Sequence, residues 1–365
     1  MGSGERVKLY GRKFTKRELL DAVGDADQLG GATPSVLTDG PASGSRVIVV
    51  RNPSGLSFVC LVDRGLDLGW ADYCGVPLAW RSPVGDIGPT FAEPTGQGWL
   101  RTFGGGLITT CGLTSAGQPS MDQGKAYGLH GRYSSIPARE VAWSTDWNGD
   151  ERIVMISGRV REASALGPVI ELKRTITTTL GSGSLRVHDV VTNLGASLVA
   201  HMFRYHVNFG FPMIDHESRI EFDAATVQPR DAQSRAGLPN WKVIASPSEP
   251  VAEEVFTAIS KEADKEPCVA IINPVPRPSL RLYWSGATLP LLLVWKQPTR
   301  RTYVTALEPS NCRDDGRATA RADGTLIELE PDEERHYWLE LNVNETAGKV
   351  TANSSPPSAR SYNHF

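Results

Sequence analysis

The feature that most constrains the fold of this chain is its division into many short apolar runs separated by turn residues. The runs 46–51 and 56–62, for example, flank the turn cluster Asn52-Pro-Ser-Gly55. The chain has 36 glycines and 25 prolines among its 365 residues, which favours frequent turns over long helices. Strands do not alternate with helical segments, so a parallel doubly wound sheet is not expected. We predict an all-β fold in which two antiparallel sheets stack face to face.

The sequence predicts one main domain with an extension at each end. The main β-domain is placed at residues 45–343, the N-terminal extension at 1–44 and a mobile, Ser/Pro/Asn-rich C-terminal tail at 344–365. The extension carries one helical pattern, with Thr15 as the N-cap, Glu18 three residues later and Gly24 as the stop signal. Residues 71–120 read as long ordered loops, and 246–265 as an excursion at the sheet edge.

Charge and cysteine usage exclude several classes of protein. The formal net charge is -3 and the sequence pI is about 6.2, which does not favour nucleic acid or an anionic membrane as a partner. The five cysteines are scattered and form no C-x-x-C pair, and no apolar leader opens the chain, so a cytoplasmic location is expected. The longest apolar run, 289–295, is too short to span a bilayer.

The strand pattern RYHVNFGFP places three polar residues on one face. With a period of two, Arg204, His206 and Asn208 share a face, and Tyr205 lies on the opposite one. A solvated strand face usually favours Lys, Glu and Thr over this mixture. The pattern therefore indicates either an exposed face or a binding site.

Other candidate residues lie in loops and at strand ends. YGLHGRYSSIP carries His130 and Arg132 beside a glycine, WLRTFGGG carries Arg101, and VDRGLDLG carries Asp63 and Arg64. Guanidinium groups can bind ligand oxygens through paired donors, although an ordinary ion pair in a turn explains Asp63 and Arg64 equally well.

Glu308 ends an apolar strand directly before Pro309. A partly desolvated carboxylate there would have a raised pKa and would act as a base near neutral pH, while a solvated strand end remains the alternative. His130, His206 and Glu308 were weighed as zinc ligands, but no ligand spacing supports that set. No nucleophile elbow is present, so Ser-His-Asp hydrolysis is not expected.

These motifs, in this order, resemble the aldose 1-epimerase (galactose mutarotase-like) superfamily. The matching pieces are "LHGR" with His130, "YHVNFGFP" with His206 and "ALEPSN" with Glu308. The resemblance covers about residues 45–342 and points to an uncharacterised bacterial branch. It implies a β-supersandwich with a pocket for a small carbohydrate and no required cofactor.

The resemblance also implies a reaction and residue roles. Glu308 would take the proton of the anomeric hydroxyl while His206 donates one to the ring oxygen, so that the ring opens and closes again as the other anomer. An acid and a base on opposite sides of one sugar would be about a ring width apart.

The remaining roles implied by the resemblance concern substrate binding. His130 and Arg132 would hold sugar hydroxyls, and Tyr205 or Trp99 would stack on the ring. Further candidates for substrate binding are Arg64, Arg101, Asn208 and Asp63.

The chain departs from the family pattern in two ways. Arg132 stands where a glycine is usual, which suggests an acidic, phosphorylated or keto sugar. The family's hydroxyl-binding aspartate has no clear match, and Asp231 is only a guess.

Two other functions stay open at this point. One is an isomerase or β-eliminating lyase acting on an oxidised sugar, with a divalent metal held by His130, His206 and Glu308. The other is non-catalytic sugar binding. A homo-oligomer is also left open.

Overall fold

The computed structural model describes residues 6–261, 268–273 and 278–344. These residues form mainly antiparallel strands, and the all-β prediction is confirmed. The strands are β1 (Val7–Leu9), β2 (Arg12–Phe14), β3 (Gly31–Val36), β4 (Arg46–Arg51), β5 (Leu56–Leu61), β6 (Asp67–Tyr73), β7 (Val76–Pro77), β8 (Ile108–Cys111), β9 (Ser120–Asp122), β10 (Lys125–Tyr127), β11 (Arg139–Asn148), β12 (Glu151–Ala163), β13 (Val169–Thr179), β14 (Ser184–Asn193), β15 (Val199–His201), β16 (Arg204–Gly210), β17 (Arg219–Glu221), β18 (Ala224–Pro229), β19 (Glu254–Ser260), β20 (Cys268–Asn273), β21 (Ser279–Trp284), β22 (Leu291–Thr299), β23 (Thr302–Ser310), β24 (Ile327–Leu329) and β25 (Glu334–Asn344). The helices are α1 (Lys16–Leu20), α2 (Ala232–Gly237) and α3 (Arg317–Ala322).

Most of the strands belong to two large sheets. One has the order β11-β12-β13-β14-β25-β21-β20-β17, and the other has the order β18-β19-β22-β23-β16-β8-β6-β5-β4-β3, with β7 paired to β6. Their facing side chains form one large apolar core that draws on both sheets. This is the stacked arrangement expected from the sequence, since each sheet buries one face against the other.

Strand β14 shows why the sequence forms these sheets. Buried and half-buried residues alternate along its whole length, from Ser184 to Asn193. Leu185, Val187 and Val191 point into the core with the buried Asp189, while the residues that alternate with them are only half-buried. A period of two buries one side of a strand, which is the pattern of a sheet with one covered face.

The short helix predicted in the N-terminal extension is present. Thr15 and Glu18 form the expected capping box, but α1 ends at Leu20 rather than continuing to Gly24. Leu19 packs with Val7, Leu9 and Leu29 in a small separate apolar cluster. The extension is thus anchored by its own buried side chains.

Two expectations about irregular segments need correction. Residues 71–120 contain the end of β6 together with β7 and β8, although the stretch between β7 and β8 is irregular as expected. The predicted excursion at 246–265 contains β19, which lies between β18 and β22. The predicted tail lies outside the described residues apart from Asn344. None of the helices in the described part of the chain is long and apolar enough to cross a membrane.

Candidate active site

Strand β16 separates the core from a polar cavity. Tyr205, Val207 and Phe209 are fully buried in the core. Arg204 and His206 point the other way and line a cavity of about 250 Å³. The alternation predicted from RYHVNFG is therefore confirmed, and the polar face is covered rather than solvated.

The neighbouring strand β23 brings Glu308 next to His206. Arg204 pairs with Ser310 and Val207 with Leu307, so the register places Glu308 opposite His206. The distance from His206 Nε2 to Glu308 Oε1 is 3.3 Å. The expected separation of about one ring width is therefore wrong, because cross-strand partners in adjacent strands touch each other.

Asn208 fixes the tautomer of His206. The Asn208 amide nitrogen donates to the carbonyls of Gly106 and His206, which leaves its oxygen as an acceptor. That oxygen lies 2.5 Å from His206 Nδ1, so Nδ1 carries the hydrogen. The Nε2 lone pair of the neutral ring then faces Glu308.

Glu308 and His206 are each shifted toward the neutral form. Burial raises the pKa of Glu308 to about 8, although Arg204 opposes the shift. Burial, with the charges of His130 and Arg204, holds the pKa of His206 well below its usual range. At neutral pH a protonated Glu308 therefore lies beside a neutral imidazole.

His130 enters the cavity from a tightly held loop. Its backbone N–H donates to Gly117 and its carbonyl accepts from Gly112. A Cβ on the following Gly131 would lie 2.2 Å from the carbonyl oxygen of Ser115, which explains the glycine beside the histidine. Burial lowers the pKa of His130 to about 3. Its buried Nδ1 has no hydrogen-bond partner within the described protein.

A network of buried charges borders Glu308. Arg204 Nη1 lies 3.2 Å from Glu308 and 2.8 Å from Asp314. Asp314 also accepts from Arg230 at 3.1 Å, and Arg230 reaches Glu253 at 2.7 Å. Burial alone would raise the pKa of Asp314, but Arg204 and its other donors hold it below its usual range. Asp314 is therefore ionised throughout the neutral range.

Aromatic rings form the walls of the cavity. Trp99 and Phe103 stack with their ring centroids 4.2 Å apart, and Trp99 meets the His130 ring edge-on at 4.6 Å. Trp295 meets His206 edge-on at 5.4 Å. Aromatic faces beside polar side chains suit a ring that has both C–H faces and hydroxyl groups.

Three arginines predicted as ligand groups lie elsewhere. Arg132 is exposed and does not line the cavity. Arg101 is also exposed and pairs with Glu93. Arg64 is half-buried, and its guanidinium donates to the carbonyls of Ser134, Ile87 and Thr102, so it holds loops together. The sequence gives the charge of these side chains but does not determine whether they point toward the cavity.

The other predicted contacts also need correction. Tyr205 lies in the core and donates to Asp189, so it cannot stack on a ligand. Asp63 pairs with Arg46, and with Arg64 it lines a second cavity, which shares only Phe103 with the first. Asp231 caps α2 through Ser234. Asn208 is buried beneath His206 and does not line the cavity, so its part is to orient the imidazole.

Sequence reasoning missed several residues that line the cavity. Asp314 and Arg230 lie in connections that carry no strand period, and Trp295 was read only as part of a buried strand. The sequence NCRDDGR, which follows Glu308, did offer a signal, because it places two carboxylates just beyond the end of β23. Across the described residues, no three His, Cys, Asp or Glu side chains are grouped as metal ligands, and this includes the set His130, His206 and Glu308.

Comparison with known proteins places this geometry in a family. Residues 42–343 match a family described as a domain of unknown function, DUF4432. The chain belongs to the DUF4432 family. None of the curated proteins matches it.

Several solved structures share the fold of this DUF4432 protein. A Klebsiella pneumoniae protein described provisionally as an aldose 1-epimerase aligns with a TM-score of 0.82 at 24% identity, covering 90% of this chain and 86% of that one. A galactose mutarotase-like protein from Clostridium acetobutylicum aligns at 0.62 and 15% identity, covering 86% and 98%. Galactose 1-epimerase from Lactobacillus acidophilus aligns at 0.54 and 12% identity, covering 86% and 98%. These likenesses establish the galactose mutarotase-like sandwich, as the sequence motifs predicted.

Proposed function

We propose that this DUF4432 protein is an isomerase that interconverts the anomers of a neutral aldose sugar. The observation that carries the proposal is the direct contact between His206 and Glu308, at 3.3 Å, beside a cavity with aromatic walls. The shared fold supports it, since structural neighbours include a protein named as a galactose 1-epimerase.

Ring opening requires that one proton is donated to the ring oxygen and one is removed from the anomeric hydroxyl. The ring oxygen and the anomeric hydroxyl are both bonded to C1, so adjacent groups can serve both from one side. In the resting protonation state, Glu308 gives its proton to the ring oxygen while His206 Nε2 takes the hydroxyl proton. The bond from C1 to the ring oxygen breaks and the carbonyl forms.

Ring closure restores the site. Rotation about C1–C2 presents the other carbonyl face, and the ring oxygen attacks it. The ionised Glu308 takes back the proton from this oxygen, and the His206 imidazolium returns its proton to the new anomeric hydroxyl. This assignment reverses the two roles that the resemblance implies, but the pair holds the same single proton in either case.

The charges around the cavity favour a neutral substrate over the acidic sugar suggested by Arg132. Arg204 and Arg230 line the cavity, but both are engaged by the carboxylates of Asp314, Glu308 and Glu253. An anionic group would have to displace these buried ion pairs, which is costly. The unpartnered His130 Nδ1 instead offers a site for a sugar hydroxyl.

The test is anomer exchange in a panel of neutral aldoses, followed by NMR above the spontaneous rate. In Glu308→Gln the enzymatic rate should fall by about 10²–10⁴-fold, because the amide cannot exchange the proton. The exposed Glu217→Gln serves as the matched control and should retain full activity.

Other outcomes would favour the alternatives. Turnover of a keto sugar without anomer exchange would support an isomerase or lyase acting on oxidised sugars. Sugar binding without any exchange by the wild-type protein would support a binding protein, and either result would overturn the proposal.

A further inference from the structure

We propose that Asp314 is a positioning residue that holds the charge of Arg204 and thereby keeps one proton on the Glu308–His206 pair. The inference deepens the proposed function and rests on it for its activity readout. The residues that would set the protonation state of the pair, Asp314 and Arg204, lie outside the three motifs on which the family resemblance rests.

The position of the Arg204 guanidinium carries the first step of the argument. Its Nη1 lies between two carboxylates and is closer to Asp314, at 2.8 Å, than to Glu308, at 3.2 Å. Its Nη2 donates to the carbonyl of Arg313 at 3.2 Å, and its Nε to Ser310 at 3.4 Å. Arg204 is 1% exposed, and these contacts hold its guanidinium between the two carboxylates.

Asp314 receives more donors than Glu308 does. Its carboxylate accepts from Arg204, from Arg230 at 3.1 Å and from Gln118 at 3.3 Å. Gln118 also donates its backbone N–H to the Asp314 carbonyl at 2.7 Å, which fixes the segment. Three donors on one buried carboxylate favour its ionised form.

The balance of buried charges then determines whether Glu308 is ionised. Two buried or half-buried cations, Arg204 and Arg230, are already paired with three anions, Asp314, Glu253 and Asp231. An ionised Glu308 would add an unmatched negative charge at a site that is 2% exposed. The charged and titratable groups that face it are Arg204, His206, His130, Arg230, Glu253, Asp314 and the Cys111 thiol.

The proton of Glu308 also has a defined acceptor. Asn208 holds the hydrogen of His206 on Nδ1, so Nε2 can only accept. The carboxyl of Glu308 lies 3.3 Å from this acceptor nitrogen. Removing the charge of Asp314 would leave Glu308 as the main partner of Arg204, and Glu308 would then lose its proton.

A titration tests this step without any substrate. The protonated carboxyl of Glu308 is followed by its infrared C=O band, identified by its loss in Glu308→Gln. In the wild-type protein the midpoint should lie at a pH of about 8. In Asp314→Asn the midpoint should fall by about one pH unit or more, since the positive charge of Arg204 then acts mainly on Glu308.

A second variant provides an independent test in case Asp314→Asn does not fold. Glu253→Gln removes a carboxylate that is partly exposed and more distant from Glu308, so the midpoint should move in the same direction by a smaller amount. Equal midpoints in the wild-type protein and both variants would overturn the inference.

The pH profile of kcat/KM provides the activity readout. Activity of the wild-type protein should fall as pH rises through the Glu308 midpoint, and in Asp314→Asn this limb should move to lower pH. A merely structural role would lower activity at every pH and leave the limb in place. If the wild-type protein exchanges no anomers, the proposed function fails, but the titration still decides the role of Asp314.

Discussion

At the scale of single residues, the site depends on polar groups whose orientation is fixed by other polar groups. His206 has a defined tautomer only because Asn208 is itself held by two backbone carbonyls. Under the proposed function, we expect this arrangement to affect the rate rather than binding, because Asn208 is buried beneath the imidazole and lies outside the cavity lining.

Substitution of Asn208 tests this interpretation. In Asn208→Ala the hydrogen of His206 is no longer held on Nδ1, so kcat should fall by about 10- to 100-fold. KM should change little, since the substrate does not contact Asn208. Steady-state kinetics of anomer exchange measure both, and a large rise in KM with kcat unchanged would contradict the assignment.

The two strand residues that the sequence predicted and the structure brings into contact share one property. His206 and Glu308 each interrupt a strongly apolar strand, and the strand period determines which face they occupy. The loop residue His130 was found through its motif. Arg132 and Arg101 lie in segments without a period, where nothing in the local sequence determines whether a side chain faces the cavity or the solvent.

At the scale of strands, a buried ionic network joins the two sheets behind the site. Arg174 on β13 contacts Asp67 on β6 at 2.6 Å and Asp189 on β14 at 2.7 Å. Asp189 also accepts from the Tyr205 hydroxyl on β16 at 2.7 Å. The strand that carries His206 is thus tied to the opposite sheet by hydrogen bonds as well as by apolar packing.

Loss of the arginine should be costly. Arg174→Met leaves two buried carboxylates without their cation, so the free energy of unfolding should fall by about 3–5 kcal/mol. Urea denaturation measures the change. Arg186→Met, at a partly exposed position on β14, is the control and should stay within about 1 kcal/mol of the wild-type protein. A similar loss of unfolding free energy in both variants would mean that the buried network contributes no more to stability than the contacts of Arg186.

Strand β11 is one that the sequence did not predict. Strand β11 is at the edge of its sheet, and none of its residues is fully buried, so it lacks an apolar alternation. Its position is determined by pairing with β12, which the local sequence does not show. Strand β14 alternates along its length, and the sequence predicts it at 184–193, as observed, whereas the run 198–209, which the sequence predicts as one strand, is divided into β15 and β16.

At the scale of the whole molecule, buried histidines couple stability to pH. Burial lowers the pKa of His201 to about 4 and that of His130 to about 3, and it holds the pKa of His206 well below its usual range. The unfolded chain therefore binds these protons first as pH falls below about 6.5. Each histidine contributes stability that is fully present above that pH and is lost progressively below it.

His201 isolates this effect, because it lies away from the cavity and bonds to Tyr337 and to the carbonyl of Leu113. In His201→Gln, the pH dependence of the unfolding free energy between pH 6 and 4.5 should be smaller than in the wild-type protein by up to about 1.4 kcal/mol per pH unit. Urea denaturation at several pH values measures this slope. The exposed His216→Gln should keep the wild-type slope, and an unchanged slope in His201→Gln would refute the coupling.

The two faces of β16 have a consequence for how this protein can evolve. Successive residues of that strand point alternately into the apolar interior and to the polar side, where Arg204 and His206 line the cavity and Asn208 lies beneath His206. A single-residue insertion or deletion would exchange the two sets at once, placing charged groups in the interior and aromatic rings in the cavity. Changes of specificity are therefore accessible through the irregular segments that carry Trp99, Phe103 and His130, while the length of this strand must stay constant.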